Sequence, residues 1–311
     1  MHWKMKAGIQ NAIAALPQPV SHALYYQLQR RFGRLQTVDP RLLVENAIGI
    51  WDRLLAHGVD PVGKTFCEIG TGRSVTIPAL FWLMGAARTI TIDLNAYLKA
   101  AIVRQTMEAL CQRPDLVSLI GRRLRHDRWK VIREWNDSDA PTLTGFLDLC
   151  NITYVAPADS AHTRLESASV DVHTSVTVLE HIPPDTLRQV LVEAGRVLRP
   201  DGLSVHLIDY GDHFSHTSPQ IPVINFLQYS AAQWARYANN RYMYMNRLRH
   251  DDMQAIFNSA GHQSLSDGPV VDSQAFKLLQ GGFPLSSEFQ HKPPEILAIT
   301  HAWIVSRPRV R

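Results

Sequence analysis

The chain has 311 residues, 45% hydrophobic and 19% charged, with a net charge of +4 and a pI near 9.0. This is the composition of an ordinary globular protein, long enough for one large domain or a domain with appendages. The mild basicity argues against a nucleic-acid partner: the densest basic run, "GRRLRHDRWKVIRE" (121–134), interleaves acids and apolar residues at near-helical spacing and reads as a solvated helix face. Three cysteines, Cys67, Cys111 and Cys150, form no CxxC pair, so neither a disulfide framework nor a structural zinc site is expected and a reduced, cytoplasmic chain is. No apolar run reaches the roughly 18–20 residues that span a bilayer.

Residues 1–59 read as a helical N-terminal extension. "MHWKMKAGIQNAIAALPQPV" is amphipathic but interrupted by Gln10 and Asn11, and makes a poor secretory signal. Packing on the main domain is expected, with a weak peripheral membrane contact through this helix as the alternative. "SHALYYQLQRRFG" stops on Gly33. "DPRLLVENAIGIWDRLLAHG" starts with Asp39 as a cap and Pro40 at the first helical position, and stops on Gly58.

From Lys64 strands and helices alternate. "KTFCEIG" predicts a strand, "IPALFWLMGA" a helix, "RTITIDL" a second strand and "AYLKAAIVRQTMEAL" a helix. A mostly helical stretch from Pro114 to about Trp135 follows, then strands at "NITYVAP" and "SVDVHTSV". "DTLRQVLVEAGRVL" is a helix with Leu187, Val190, Leu191, Ala194, Val197 and Leu198 on one face, and "GLSVHLIDY" is a fifth strand. After a polar loop, an aromatic stretch "INFLQYSAAQWARYANNRYMYMNRL" reads as helical. "HDDMQAIFNSAG" is a capped helix, and "EILAITHAWIVSR" is a last apolar strand. The alternation predicts an α/β fold: a doubly wound, mostly parallel sheet with helices on both faces. The main domain then covers 60–311, with insertions at about 114–140 and 211–262.

In such sheets ligands sit at the carboxyl ends of the strands. The first strand ends in "EIGTG", where Gly70 and Gly72 let the backbone turn sharply and approach a ligand closely. A dinucleotide fingerprint needs a third glycine where Val75 stands, and no Gly-Lys-Ser/Thr is present, so the turn does not suit phosphate. Glu68 at the strand end suits a cationic ligand, and S-adenosylmethionine carries an ammonium and a sulfonium and no phosphate. Asp93, ending the second strand, can accept two ribose hydroxyls or cap the next helix. Asp159, after the third strand, can take the adenine amine or serve as a turn residue.

Together, "EIGTG", "TIDL", the Asp before "VDV", "VLEHI" and "RVLRPDGLSVHLID" resemble the class I S-adenosylmethionine-dependent methyltransferases, over roughly Lys64 to Asp209. The resemblance implies a Rossmann-like sheet of seven strands and S-adenosylmethionine as cofactor. It places Glu68, Gly70 and Gly72 at the methionine part, Asp93 and Leu94 at the ribose, Ala158 and Asp159 at the adenine, and Ser175 under the sulfonium. The pattern of residues 212–251 is more loosely similar to methyltransferases associated with bacterial cell-surface polysaccharide assembly. A small-molecule or glycan acceptor follows, with methylation of a sugar hydroxyl as the first expectation. Methylation of nitrogen or carbon, or a non-catalytic binding module, are the alternatives.

A hydroxyl acceptor must lose a proton, and histidine is the usual base near neutral pH. His181 follows the fourth strand, and His213 and His216 follow the fifth, all at the ligand-binding edge, so these three are the catalytic candidates. Asp212, His213 and His216 make a poor magnesium set, because hard cations prefer oxygen, and no metal is expected. Trp234, Tyr237, Tyr242 and Tyr244 could stack on a sugar or fill a core. Arg247 and Arg249 could bind an acidic acceptor or cap a helix.

Overall fold

The computed structural model describes residues 2–33, 35–36 and 39–309. Its strands are β1 (Thr65–Ile69), β2 (Arg88–Ile92), β3 (Ile152–Val155), β4 (Val170–Val176), β5 (Leu198–Asp209), β6 (His262–Val271) and β7 (Ile299–Pro308). They form one sheet in the order β3-β2-β1-β4-β5-β7-β6. The first five are parallel, whereas β7 runs antiparallel to both β5 and β6, so the expected mostly parallel sheet is mixed at one end. Strand order reverses between β1 and β4, and the crevice at their carboxyl ends is where this topology holds a ligand.

Helices α1 (Trp3–Ala14), α2 (Gln18–Phe32) and α3 (Arg41–Ala56) precede the sheet. Between β1 and β3 come α4 (Thr76–Met84), α5 (Ala100–Cys111), α6 (Pro114–Ile120), α7 (His126–Asn136) and α8 (Leu143–Leu149). Helix α9 (Pro184–Val197) joins β4 to β5. Helices α10 (Ala231–Ala238) and α11 (His250–Ser259) precede β6, and α12 (Ser273–Gln280) and α13 (Pro294–Leu297) precede β7. One sheet face packs on α3 and α4 through Ile50, Leu54, Phe66, Leu80 and Phe81. The other packs on α9 and α11 through Leu187, Leu191, Phe257 and Ile304.

The N-terminal helix meets the region after β5. Trp3 on α1 is buried among Phe214, Phe226 and Trp234, with its ring 4.8 Å from Tyr237 and 5.3 Å from Phe214. Lys6 Nζ donates to Thr217 Oγ1 at 2.7 Å. The inner face of α1 is therefore committed to packing, while Met5 and Ile9 stay exposed. Among the described residues no helix is long and apolar enough to cross a membrane.

Several sequence expectations are corrected. The helix read from Ala96 begins at Ala100, with Lys99 before it, so Asp93 is not its cap. Asp39 caps α3 from one residue further out than expected, accepting the Arg41 N–H at 3.0 Å while Pro40 stands at the cap position. The aromatic stretch 224–248 is mostly irregular, with only α10 as an α-helix. Strand β6 escaped notice because it is polar and contains Gly268 and Pro269, which an edge strand tolerates.

The 114–140 segment lies away from the ligand edge. The Arg125 N–H donates to Leu83 O, and Arg128 Nη1 donates to Trp82 O and Ala86 O at 2.6 and 2.8 Å. These carbonyls close the C-terminal end of α4, which returns from the glycine turn to the sheet's amino edge. A cleft of about 740 Å³ lined by Cys111, Val117, Trp129 and Arg133 belongs to that remote side.

Between the sheet and α9/α11 lies a buried histidine network. His206 accepts or donates at both ring nitrogens, with Ser175 Oγ 2.7 Å from Nδ1 and Ser204 Oγ 2.8 Å from Nε2. His173 lies 3.5 Å from it, and His262 bridges Ser306 Oγ and Leu191 O. Burial pushes all three imidazoles down, His173 to about 3, so they stay neutral. In the unfolded chain they protonate near 6.5, so acid adds protons to the unfolded state first. For His173 stability is therefore lost as pH falls from about 6.5 towards about 3, by up to about 1.4 kcal/mol per pH unit, and His206 and His262 act in the same direction. Urea midpoints measured from pH 7.5 to 5.0 should fall steadily, and less steeply in His206→Phe. A midpoint that is level over this range contradicts the account.

Candidate active site

The turn after β1 is built from two left-handed glycines, Gly70 at φ 82 and Gly72 at φ 65. They do different things. A Cβ on Gly70 would sit 2.3 Å from Val178 Cγ2, so its bare backbone packs directly against the segment after β4. A Cβ on Gly72 would meet nothing within 4 Å, so open space lies above it. The Gly72 N–H donates to Asp93 Oδ2 at 2.7 Å, and the Asn95 N–H to Oδ1 at 2.8 Å. Asp93 is mostly buried, which pushes its carboxyl up, and each oxygen keeps a second lone pair for a ligand hydroxyl. The Ala158 N–H donates to Asp93 O at 2.9 Å, which brings the loop after β3 to the same place.

The other expected cofactor residues are spread around this turn. Glu68 lies beneath it, buried and accepting from Thr91 Oγ1 at 2.6 Å; burial pushes its carboxyl up to about 8. Asp159 is half-exposed and accepts the Ala161 N–H at 2.8 Å, and Leu94 is exposed. Ser175 turns its hydroxyl into the core, onto His206. Sequence reasoning missed the roof. The Arg73 guanidinium lies 5.2 Å from the Tyr26 ring on α2 and 5.1 Å from the Tyr97 ring, and His22 packs edge-on against Tyr97. Only folding places α2 over the glycine turn; no local pattern announces it.

The three candidate histidines come together beside this turn. His181 and His213 rings are 4.8 Å apart, and His213 and His216 are stacked at 5.3 Å. Asp209, the last residue of β5, has Oδ2 3.4 Å from His213 Nε2 and 3.6 Å from His216 Nε2. Burial works to raise the Asp209 carboxyl, but His213, the Gly211 N–H and His216 outweigh it and hold it below the usual range. His181 Nδ1 donates to Tyr244 O at 2.6 Å, and crowding by protein with His213 alongside pushes its imidazole down to about 4. Glu180 next to it is buried, and neither carboxylate oxygen makes a well-formed hydrogen bond among the described residues.

The remaining candidates are structural. Asp212 is buried and holds its loop, accepting from Asn225 Nδ2 and the Phe214 N–H, both at 2.8 Å. Arg249 is fully buried and donates to the carbonyls of Tyr210, Leu297 and Ile299. Arg247 pairs with Glu288 at 3.1 Å. Both arginines are engaged with groups of the protein. Trp234 is core, and Tyr242 stacks on Tyr25 of α2 with centroids 3.9 Å apart.

Residues 140–206, from α8 into β5, match the sequence model of a family described as a methyltransferase domain. Within these residues the chain carries the signature of an S-adenosylmethionine-dependent methyltransferase domain. It is a methyltransferase whose cofactor is S-adenosylmethionine. The open space over Gly72 and the Asp93 carboxylate beside it are compatible with that cofactor.

No curated protein matches this methyltransferase. Among solved structures it is similar to a putative sarcosine dimethylglycine methyltransferase from Galdieria sulphuraria, at 14% identity and a TM-score of 0.48, covering 85% of each chain. It is also similar to a 1,6-didemethyltoxoflavin-N1-methyltransferase from Burkholderia thailandensis, at 14% identity and a TM-score of 0.47, covering 95% of this chain and 92% of that one. A geranyl diphosphate methyltransferase bound to S-adenosylmethionine matches at 12% identity and a TM-score of 0.47, over 96% and 95%.

The two glycines should separate under substitution. Gly70→Ala combines left-handed strain of about 1–2 kcal/mol with a clash of about 1–3 kcal/mol against Val178. Gly72→Ala adds only the strain, about 1–2 kcal/mol, but puts a methyl into the open space. Urea unfolding should show Gly70→Ala as the less stable protein. Calorimetry with S-adenosylhomocysteine should show Gly72→Ala losing affinity while still folded. Equal stability of the two variants would refute this division of roles.

Proposed function

We propose that this methyltransferase acts on an oxygen of a small molecule or glycan, with a sugar hydroxyl as the favoured acceptor. The observation that carries the proposal is the convergence of His181, His213 and His216 on Asp209, next to the segment that Gly70 touches. A neutral amine attacks a methyl group without prior deprotonation, whereas a hydroxyl needs its proton taken. A histidine cluster backed by a carboxylate is suited to the second task. The sugar preference rests on the looser resemblance of residues 212–251 to polysaccharide-associated methyltransferases.

Bound S-adenosylmethionine supplies a methyl group already activated by a sulfonium. In the proposed site Gly70 and Gly72 hold the methionine part, with Glu68 beneath. Asp93 takes the ribose hydroxyls beside Leu94, and Ala158 and Asp159 flank the adenine. The chain then has to position the acceptor oxygen in line and exclude water, and such positioning supplies much of the rate of a displacement. His213 or His216, each facing Asp209, accepts the proton. Helices α1 and α2, joined to the loops after β5, close the site from above.

Titration calorimetry with S-adenosylmethionine and S-adenosylhomocysteine tests the cofactor assignment. Asp93→Ala should weaken both by at least about tenfold, consistent with losing about 1.5–3 kcal/mol of charged hydrogen bonding. A screen with labelled methyl donor against sugars, nucleotide sugars and phenols should find an oxygen acceptor. On that acceptor His213→Ala should bind cofactor normally and turn over at least about 100-fold more slowly. Labelling confined to amines or carbon acids would overturn the oxygen assignment.

A further inference from the structure

We infer that Glu180, His181 and His213 form a binding site for one divalent transition-metal ion at the acceptor end of the active site. The inference rests on the proposed function only for the ion's use; the site itself follows from the side chains. One ligand atom from each of the three residues lies within 4.8 Å of the other two. Metal–ligand bonds of about 2.0–2.2 Å put neighbouring ligand atoms roughly 3.4 Å apart, so side-chain adjustment of about an ångström completes the triad.

Three further observations point to a cation. Glu180 is 2% exposed, and only the Glu180 and Asp209 backbone N–H groups approach its carboxylate, neither placed for a well-formed hydrogen bond and no side chain pairing with it among the described residues. A carboxylate buried this way either bears the cost of an uncompensated charge or takes up a proton, and a coordinated cation is what lets it stay ionised. Asp209 is a second carboxylate close by, and its like charge opposes that of Glu180. Arg249, the cation that acts on Asp209, has its guanidinium spent on three backbone carbonyls.

The surroundings also have the form of a metal-ligand support. His181 Nδ1 donates to Tyr244 O at 2.6 Å, which fixes the tautomer and leaves the Nε2 lone pair for a metal. The turn carrying the first two ligands is pinned from the acceptor loop. The Asn246 N–H donates to Glu180 O at 2.8 Å, and Asn246 Nδ2 donates to Leu179 O and Ile182 O, both at 2.9 Å. Two imidazoles and one carboxylate favour zinc, manganese, iron or cobalt over magnesium or calcium, and three protein ligands leave a position open. An acceptor hydroxyl bound there is polarised by the ion. Its proton passes to His216, which stacks on His213 and faces Asp209, as the oxygen forms its bond to the methyl carbon and the carbon–sulfur bond breaks.

The test uses the full-length protein, freed of any affinity tag and stripped with chelator. Equilibrium dialysis against zinc or manganese, read by elemental mass spectrometry, should return one ion per chain, and magnesium at the same concentration should not. Cobalt substitution should give the visible spectrum of a nitrogen–oxygen site. Glu180→Gln and His181→Ala should each weaken zinc binding by at least about 100-fold and abolish that spectrum, while S-adenosylhomocysteine affinity shows that the variants are folded. A folded wild-type protein that binds S-adenosylhomocysteine but retains none of these ions overturns the site, as do variants that bind zinc as tightly as wild type. If wild type binds the metal but not S-adenosylhomocysteine, the metal site stands and the functional reading falls.

Discussion

The contact between the Gly70 backbone and the Val178 side chain is the constraint on which the rest of the active edge depends. It sits at the switch in strand order, where β1 and β4 are neighbours and their following segments diverge. A side chain at position 70 would force those segments apart. Because none is there, the glycine turn and the segment leading to Glu180 and His181 are held against each other.

Around that junction the protein buries groups that are costly to bury. Glu68, Asp93, Glu180, Asp212 and Arg249 are all within the protein, at the carboxyl ends of strands or just beyond them. Most are matched: Glu68 by Thr91, Asp93 by two backbone N–H groups, Asp212 by Asn225, and Arg249 by three carbonyls. Glu180 is the exception. Buried polar groups are generally satisfied, and the proposed ion would satisfy this one. The neutral histidine network behind it is a different case. His173, His206 and His262 satisfy one another and nearby serines, and they hold the sheet to α9 and α11 without reaching the site.

The N-terminal helices are docked on the region after β5. Trp3 fills a pocket made by residues more than 200 positions away, and Tyr25 stacks on Tyr242. Helix α2 thereby lies over Arg73 and Tyr97 beside the glycine turn. The aromatic richness of residues 224–248 is used mainly for this docking. Rings such as Trp234 that could have served as a sugar platform are buried in the cap.

The alternating sheet core, the glycine turn and the acidic strand ends were legible in the sequence, because each is set by neighbours a few residues apart. Gly70 and Gly72 need left-handed backbone wherever the chain turns, and apolar periodicity marks α9 regardless of what it packs on. The histidine candidates were legible only as residues at the right strand ends. Their meeting around Asp209, and the stranding of Glu180 beside them, required the parallel register of β4 and β5 that brings the two strand ends together. The direction of Ser175 into the core, the remoteness of residues 114–140 and the polar edge strand β6 were likewise decided by tertiary packing. By itself the sequence determined which local structures form and which chemistry lies at their ends. Only the folded chain decided which side chains share a space, because burial and contact depend on residues distant in sequence.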